Sequence, residues 1–135
     1  MQRLLAILGL LAAFCVSGCG EKMLKTRGRV VKNGAPFLPG KDEFVRVTFV
    51  PILEADKKPE DYYVAQYNPA DGTFQVAGKD LKGMPPGRYR VAIELDRRRS
   101  DLLKGQFDAE RSPFVYDVAG GDEIVIDLDR PPVKQ

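Results

Sequence analysis

The sequence contains no histidine and no tryptophan, and its two cysteines, Cys15 and Cys19, both lie within the first twenty residues. Histidine is the usual base of a nucleophilic hydrolase, and histidine and cysteine are the usual ligands of zinc. The chain after Cys19 therefore lacks the common nucleophile and base pairs, a zinc ligand set and a pair of thiols for a disulfide. We expect no catalytic residue, no metal site and no cofactor in it.

A strong excess of one charge is also missing, because 21 Lys and Arg residues are balanced by 19 Asp and Glu residues. The formal net charge of +2 gives no basic footprint of the kind that nucleic-acid-binding proteins use. The 135 residues, of which 44% are apolar and 30% charged, fit one globular domain rather than two large ones. We therefore predict a single domain with no nucleic-acid partner.

The longest apolar run lies at the N-terminus, where Arg3 precedes the apolar residues 4–14. A positive charge followed by an apolar run and small residues is typical of a secretory signal peptide. The run is shorter than the about 20 apolar residues of a membrane-spanning helix, so it predicts an export signal. The residues that close it, VSGC at 16–19, resemble the lipobox of bacterial lipoproteins, in which the cysteine sulfur receives a diacylglyceryl group.

The lipobox resemblance implies three parts of the chain: a lipoprotein signal peptide at 1–18, the lipidated Cys19 with a short tether at 19–23, and a folded domain at 24–135. The several acyl chains of a mature lipoprotein attach it essentially permanently to a membrane. We therefore expect an exported protein of the cell envelope, membrane-anchored through Cys19 in either the inner or the outer membrane. The alternative is a plain signal peptide in which Cys19 is incidental.

The rest of the chain shows the alternation of apolar and polar residues that is typical of half-buried strands. In residues 88–96, Tyr89, Val91, Ile93 and Leu95 share one face while charged residues occupy most of the other. Seven strands are predicted, at 25–32, 43–52, 62–67, 73–77, 88–95, 113–118 and 123–128. Each has one apolar face, and burying these faces requires two sheets packed against each other. The fold class is therefore predicted to be an all-β sandwich.

Two stretches of this predicted sandwich leave alternatives open. Residues 96–112 are polar, show no strand period and are long for a connection, so we predict a crossover between the sheets, with a functional loop as the alternative. Phe107 within it is predicted to plug the end of the sandwich. Of Tyr62, Tyr63 and Tyr67, most are expected in the core, although exposed tyrosines could instead form a platform for a glycan.

A resemblance to a known family rests on five segments in a fixed order: GRVVKNGAPF at 28–37, VTFVP at 47–51, ADGTF at 70–74, GMPPGRYRV at 83–91 and SPFVYDV at 112–118. Together with the lipobox they resemble small bacterial lipoproteins that carry a carboxypeptidase-regulatory-like, or transthyretin-like, domain. The resemblance covers nearly the whole chain. It implies a seven-stranded Greek-key β-sandwich of transthyretin-like (prealbumin-like), Ig-like type, and an accessory, adhesive or structural role.

Two features depart from the family pattern. Residues 54–61 make an enlarged polar loop, and Arg97, Arg98 and Arg99 add a basic cluster to the 96–112 stretch. Each is a candidate contact for an unknown envelope protein or glycan, and the arginines would steer an anionic partner by charge. Ordinary solvated loops also have this composition.

Carboxylates are the remaining residues with catalytic or calcium-binding chemistry. The candidates are Asp71, Asp122, Glu123, Asp127 and Asp129. A turn and the charges of an exposed edge explain them more simply, so we predict a non-catalytic structural or binding module. The alternatives are a lipid-anchored, carboxylate-dependent hydrolase of the glycosidase type and an accessory subunit of an envelope complex. A hydrolase requires acidic side chains that converge in one cleft.

Overall fold

The computed structural model describes residues 22–55, 57–121 and 123–132. Over these ranges the chain is all-β, which confirms that part of the predicted fold class. No helix in them is long and apolar enough to cross a membrane. The predicted signal peptide at 1–18, the lipidation site Cys19 and the tether residues up to 21 lie outside the described residues.

The described residues form ten strands. They are Arg27–Lys32 (β1), Ala35–Pro36 (β2), Phe44–Pro51 (β3), Tyr63–Val64 (β4), Gln66–Tyr67 (β5), Thr73–Gln75 (β6), Gly87–Arg97 (β7), Ser100–Asp101 (β8), Val115–Val118 (β9) and Ile124–Asp127 (β10). Each of the seven predicted segments contains a strand, but the count of seven is not confirmed. Segment 62–67 divides at Ala65 into β4 and β5, and the two-residue strands β2 and β8 are too short to show an alternation.

The strands pair into two sheets. The β1 sheet has the order β10-β1-β6-β5, with β2 also paired to β1; β1 and β10 run parallel and its other pairs antiparallel. The β7 sheet has the order β4-β3-β7-β8, with β9 also paired to β7, and all its pairs are antiparallel. The chain changes sheet at Ala65, because β4 pairs with β3 while β5 pairs with β6.

The two sheets bury their apolar faces against each other. The ring of Phe49 on β3 lies 5.9 Å from the ring of Phe74 on β6, so aromatic side chains of the two sheets meet directly. The inward face predicted for residues 88–96 is confirmed, because Tyr89, Val91 and Ile93 are buried and Leu95 is half-buried. In the two other segments with clear alternation, Val45, Val47, Phe49, Ile126 and Leu128 are buried and Ile124 is half-buried. This packing is consistent with a β-sandwich.

The predicted crossover at 96–112 is wrong, because this stretch stays within the β7 sheet. Strands β8 and β9 both pair with β7, and the residues between them run beside it. The backbone N–H of Ile93 donates to the carbonyl of Phe107, and that of Val91 to the carbonyl of Phe114, both at 2.8 Å. The stretch remains there because it satisfies the edge of β7. Phe107 is buried, but it lies beside Ile93 in the middle of β7 instead of at the predicted end of the sandwich, and its ring centroid is 5.3 Å from that of Phe114.

Strand β7 runs from one end of the described domain to the other. Its 11 residues rise about 3.3 Å each, so its ends are about 30 Å apart. Leu24 lies near its beginning, because Leu24 pairs with Met84 three residues before Gly87. Arg98 follows its last residue directly. We refer to these as the Leu24 end and the Arg98 end.

Candidate functional site

A two-residue turn at the Arg98 end joins β7 to β8. Its residues, Arg98 and Arg99, both have positive φ, 50° and 66°. Such turns favour Asn and Gly, because other L-residues are sterically strained at positive φ. The turn from β1 to β2 has similar φ angles, 53° and 72°, and uses the favoured residues Asn33 and Gly34. Arg98 and Arg99 therefore occupy two turn positions at which arginine is unfavourable.

The three arginines that the sequence marks as a partner contact have different surroundings. Arg97 forms an ion pair with Glu43, whose side chain is largely buried and also accepts the N–H of Gly40 at 2.7 Å. Arg98 and Arg99 are exposed, and neither forms an ion pair with any residue of the described ranges. Arg97 therefore secures the base of the turn, while the other two guanidinium groups face solvent. We call residues 97–100 the arginine turn.

The chain after the arginine turn is held by Asp101. Its carboxylate accepts the backbone N–H groups of Leu95 at 3.0 Å, Leu103 at 2.9 Å and Gly105 at 2.9 Å. Burial by itself raises the pKa of Asp101, but these three hydrogen bonds outweigh it and hold the pKa below its usual value. Sequence reasoning missed this residue, although an aspartate followed closely by glycine in a polar stretch is a recognisable turn signal.

The enlarged loop at 54–61 borders an open groove of about 660 Å³ at the Leu24 end. Strand β3 ends beside the beginning of β7, where the N–H of Ile52 donates to the carbonyl of Arg88 at 2.8 Å. The loop after β3 and the chain before β7 form the two walls. Four prolines line the groove: Pro51, Pro59, Pro85 and Pro86. We call it the proline groove; residue 56 of its loop lies outside the described residues.

The rim of the proline groove carries Lys57, Lys58 and Arg88 together with Glu60 and Asp61. Asp61 is bound to Lys79 outside the groove, with 2.6 Å between its carboxylate oxygen and the ammonium nitrogen, and this hydrogen bond raises the pKa of Lys79. Both lysines of the loop are exposed. Within the described part of the chain, the rim therefore has more positive than negative charge available to a ligand.

Two of the three tyrosines considered above serve packing, as predicted. Tyr63 lines the proline groove and stacks edge-on against Tyr89, with ring centroids 6.0 Å apart. The hydroxyl of Tyr67 donates to the carbonyl of Phe37, and burial, with a smaller effect of Asp71, raises the pKa of Tyr67 to about 12. Tyr62 is 57% exposed and does not belong to the core.

Asp71 stabilises the turn between β5 and β6. Its carboxylate accepts the hydroxyl of Thr73 at 2.7 Å and the N–H of the same residue at 3.0 Å. These hydrogen bonds, the one from the hydroxyl foremost, hold the pKa of Asp71 below its usual value. The carboxylate of Asp71 thus accepts hydrogen bonds from within its own turn.

The other candidate carboxylates lie around β10. Asp127 accepts the N–H of Asp129 at 3.0 Å, and Asp129 in turn accepts the N–H of Asn33 at 2.5 Å. Glu123 is exposed, and Asp122 lies outside the described residues. Within residues 22–55, 57–121 and 123–132, no three His, Cys, Asp or Glu side chains come together as a metal site would require. The acidic side chains of the described chain are spread over turns and an edge.

No family model, no curated protein and no solved structure matches this chain. Its chemistry must therefore be inferred from its own residues. Two features stand out: exposed arginines on a strained turn at the Arg98 end, and a proline-lined groove with a basic rim at the Leu24 end.

Proposed function

We propose that this protein is an exported lipoprotein, anchored through Cys19 to a membrane of the cell envelope, whose β-sandwich is a non-catalytic binding module. The module is of the carboxypeptidase-regulatory-like, transthyretin-like type with Greek-key connectivity. The VSGC motif at 16–19 after an apolar run supports the anchor. The two packed sheets, with no helix in the described ranges, are consistent with such a module.

The arginine turn is the observation that carries the binding role. Positive φ costs a residue other than glycine on the order of 1–2 kcal/mol. Backbone strain of this kind clusters at functional sites, where another requirement outweighs it. Here the strained residues, Arg98 and Arg99, hold two guanidinium groups in solvent without an ion-pair partner among the described residues. We assign to them the contact with an anionic partner, an envelope protein or a glycan.

The place of the arginine turn suits an anchored protein. Cys19 precedes Leu24 by five residues in the sequence. An anchor at Cys19 keeps the Leu24 end next to the membrane, so the Arg98 end, about 30 Å along β7, points away from it. The exposed arginines are then presented to a partner in the surrounding compartment.

The placement of the carboxylates favours a binding module over a hydrolase. Glycoside hydrolysis requires two carboxyl groups about 5 to 9 Å apart that face one substrate. Asp71 is hydrogen-bonded within its own turn, and Asp127 and Asp129 are hydrogen-bonded to backbone around the end of β10. Their positions support a structural role for these side chains.

The substitution Cys19→Ala tests the anchor. It should abolish lipidation, because the sequence after Cys19 has no other thiol to receive the diacylglyceryl group. The unprocessed precursor should accumulate, and metabolic labelling with a palmitate analogue should fall to background. Cys15→Ala is the matched control and should leave labelling intact. Undiminished labelling of the Cys19 variant would contradict the lipoprotein assignment.

Binding to immobilised heparin, used as an anionic glycan probe, tests the arginine turn. Arg98→Ala with Arg99→Ala should elute at clearly lower salt than the unmodified protein, because both unpaired charges are lost. Arg97 is left in place, since its ion pair with Glu43 supports the turn. Lys57→Ala with Lys58→Ala removes the same charge from the proline groove and should change elution less. Equal shifts for the two double variants would mean that net charge, not the turn, governs binding.

A further inference from the structure

Four large apolar side chains are exposed at the Leu24 end: Met23, Ile52, Leu53 and Leu81. Leu81 is the most exposed of them, at 69%, and it has a positive φ of 58°. Leu81 lies outside the hydrophobic core and its backbone is strained, so neither its packing nor its backbone conformation explains a leucine here. Its place suggests that it contacts something outside the domain.

Three of these side chains line two adjoining cavities, and the fourth, Leu81, lies between two residues that line the second cavity. Ile52 and Leu53 line the proline groove, while Met23 lines a second cavity of about 190 Å³ together with Asp80 and Lys82, the sequence neighbours of Leu81. Asp61 and Tyr63 line both cavities, so the two adjoin. We call this surface, including Leu81, the Leu24-end face.

Basic side chains surround the apolar ones on the Leu24-end face. The basic residues there and in the chain around Leu24 are Lys22, Lys25, Lys57, Lys58, Lys79, Lys82 and Arg88, and the acidic ones are Glu54, Glu60, Asp61, Asp80 and Asp117, which pairs with Arg88. Lysines and exposed apolar side chains on one face are typical of protein surfaces that lie at the boundary of a bilayer, where lysine meets anionic headgroups and the apolar groups enter the acyl layer.

The length of chain before the described residues limits how far this face can lie from an anchored Cys19. Four residues lie between Cys19 and Leu24, so five residue-to-residue steps join them in the sequence. At no more than about 3.6 Å per residue, they reach about 18 Å at full extension. A lipid group on Cys19 therefore keeps Leu24 within that distance of the bilayer, whereas the Arg98 end is separated from the Leu24 end by the length of β7.

We propose that the Leu24-end face rests on the membrane as a second attachment, with Leu81 and its apolar neighbours in the interfacial layer and the lysines against anionic phospholipid headgroups. This proposal rests on the proposed lipoprotein anchor, which determines which end meets the bilayer. It adds a defined orientation: the domain is held against the membrane with the arginine turn pointing outward, instead of moving freely on its tether.

A fluorescent label at each end of the acylated protein tests this orientation. Once Cys19 is acylated, Leu81→Cys provides the one free thiol of the mature sequence, and Phe44→Cys, at a residue 73% exposed at the Arg98 end, provides the matched control. Each protein is labelled with an environment-sensitive dye and reconstituted into vesicles of phosphatidylcholine with phosphatidylglycerol. We expect a blue shift and loss of iodide quenching for the label at 81 and neither change at 44. A label at 81 as accessible as the one at 44 would overturn the proposal.

Charge variants and a second lipid composition test the role of headgroups. In the Leu81→Cys background, Lys57→Glu with Lys58→Glu should reduce the blue shift, whereas Arg98→Glu with Arg99→Glu should leave it unchanged. The shift should also be smaller in vesicles of phosphatidylcholine alone. An equal shift in both lipid compositions would contradict the contact with anionic headgroups.

The mass of the purified chain distinguishes failure of this inference from failure of the proposed function. An unacylated chain would contradict the lipoprotein assignment and, with it, the orientation derived from the anchor. An acylated chain whose label at 81 stays in water would contradict the membrane contact and leave the anchor standing.

Discussion

Asp101 shows how one side chain shapes a segment that has no regular repeat. One of its carboxylate oxygens accepts two backbone N–H groups, from Leu95 and Leu103, and the other oxygen accepts that of Gly105. Hydrogen bonds to a charged acceptor are stronger than those between neutral groups. The carboxylate therefore ties the end of β7 to the chain that follows the arginine turn.

The substitution Asp101→Asn should lower stability at neutral pH by about 1–2 kcal/mol, because an amide keeps one acceptor oxygen and loses the other. The difference in unfolding free energy between this variant and the unmodified protein should depend on pH. The folded pKa of Asp101 lies below the value of about 3.9 for an unfolded aspartate, so its stabilisation is present above that value and is lost as the pH falls through the folded pKa. Denaturant unfolding of both proteins between neutral and strongly acidic pH measures this.

A suitable control for the Asp101 experiment is Asp117→Asn. The side chain of Asp117 is 84% exposed and faces Arg88 across 4.0 Å, so it should contribute no more than about 0.5 kcal/mol. The role given to the charged carboxylate would be contradicted if the difference in unfolding free energy between Asp101→Asn and the unmodified protein stayed constant down to strongly acidic pH.

At the scale of elements, β7 supports the arginine turn. It pairs with β3 from residue 89 to residue 96, and with β8 and β9 as well. The turn from β1 to β2 has similar φ angles but the favourable residues Asn33 and Gly34. The protein thus contains two turns of similar backbone geometry, one with residues that favour positive φ and one with residues that are strained by it. The strain at the second turn is tolerated because paired strands hold both of its sides.

Replacing the strained residues with the favourable pair, Arg98→Asn with Arg99→Gly, should stabilise the domain by about 1–2 kcal/mol, because positive φ then costs little. The same variant should lose retention on heparin. Thermal unfolding and heparin elution, measured side by side, check both effects. Arg98→Ala with Arg99→Ala is the control, since it should lose retention without gaining stability. If Asn and Gly raise the melting temperature no more than the two alanines do, the turn is not strained.

For the whole molecule, aromatic rings link the two sheets. Phe49 on β3 lies 5.9 Å from Phe74 of the other sheet and 6.1 Å from Tyr89 on the neighbouring strand, measured between ring centroids. Tyr89 also contacts Tyr63 at the wall of the proline groove. Packing between the sheets and the shape of the groove therefore depend on the same group of rings.

The substitution Phe49→Ala should destabilise the domain by about 3–5 kcal/mol, because it leaves a cavity between the sheets. Phe44→Ala changes the same residue type on the same strand, but that side chain is largely exposed, so the cost should stay near 0.5 kcal/mol. Chemical denaturation of both variants gives the two values. Similar values would show that Phe49 does not hold the sheets together.

Alternation along the chain was sufficient to predict seven segments that each contain a strand and which residues of β7 face inward, but not the two-residue strands β2 and β8. It could not show that segment 62–67 changes sheet at Ala65, because the alternation continues through that residue. It also missed that 96–112 stays beside β7, since the backbone bonds that hold it there leave no pattern in the side chains. The proline groove escaped prediction for a related reason: its walls, around Pro51 and Pro85, are far apart in the sequence.

The parallel pairing of β1 with β10 has a consequence for the order in which the protein can assemble. These strands are the first and last of the described chain, and Gly28 lies so close to β10 that a β-carbon there would stand 2.1 Å from the carbonyl oxygen of Ile124. A ribosome releases β1 long before β10 has been made, so the β1 sheet stays incomplete until the chain has been synthesised through β10. A chain that cannot close this sheet early stays open for longer, and passage through a translocation channel, which the proposed export requires, needs such an open chain.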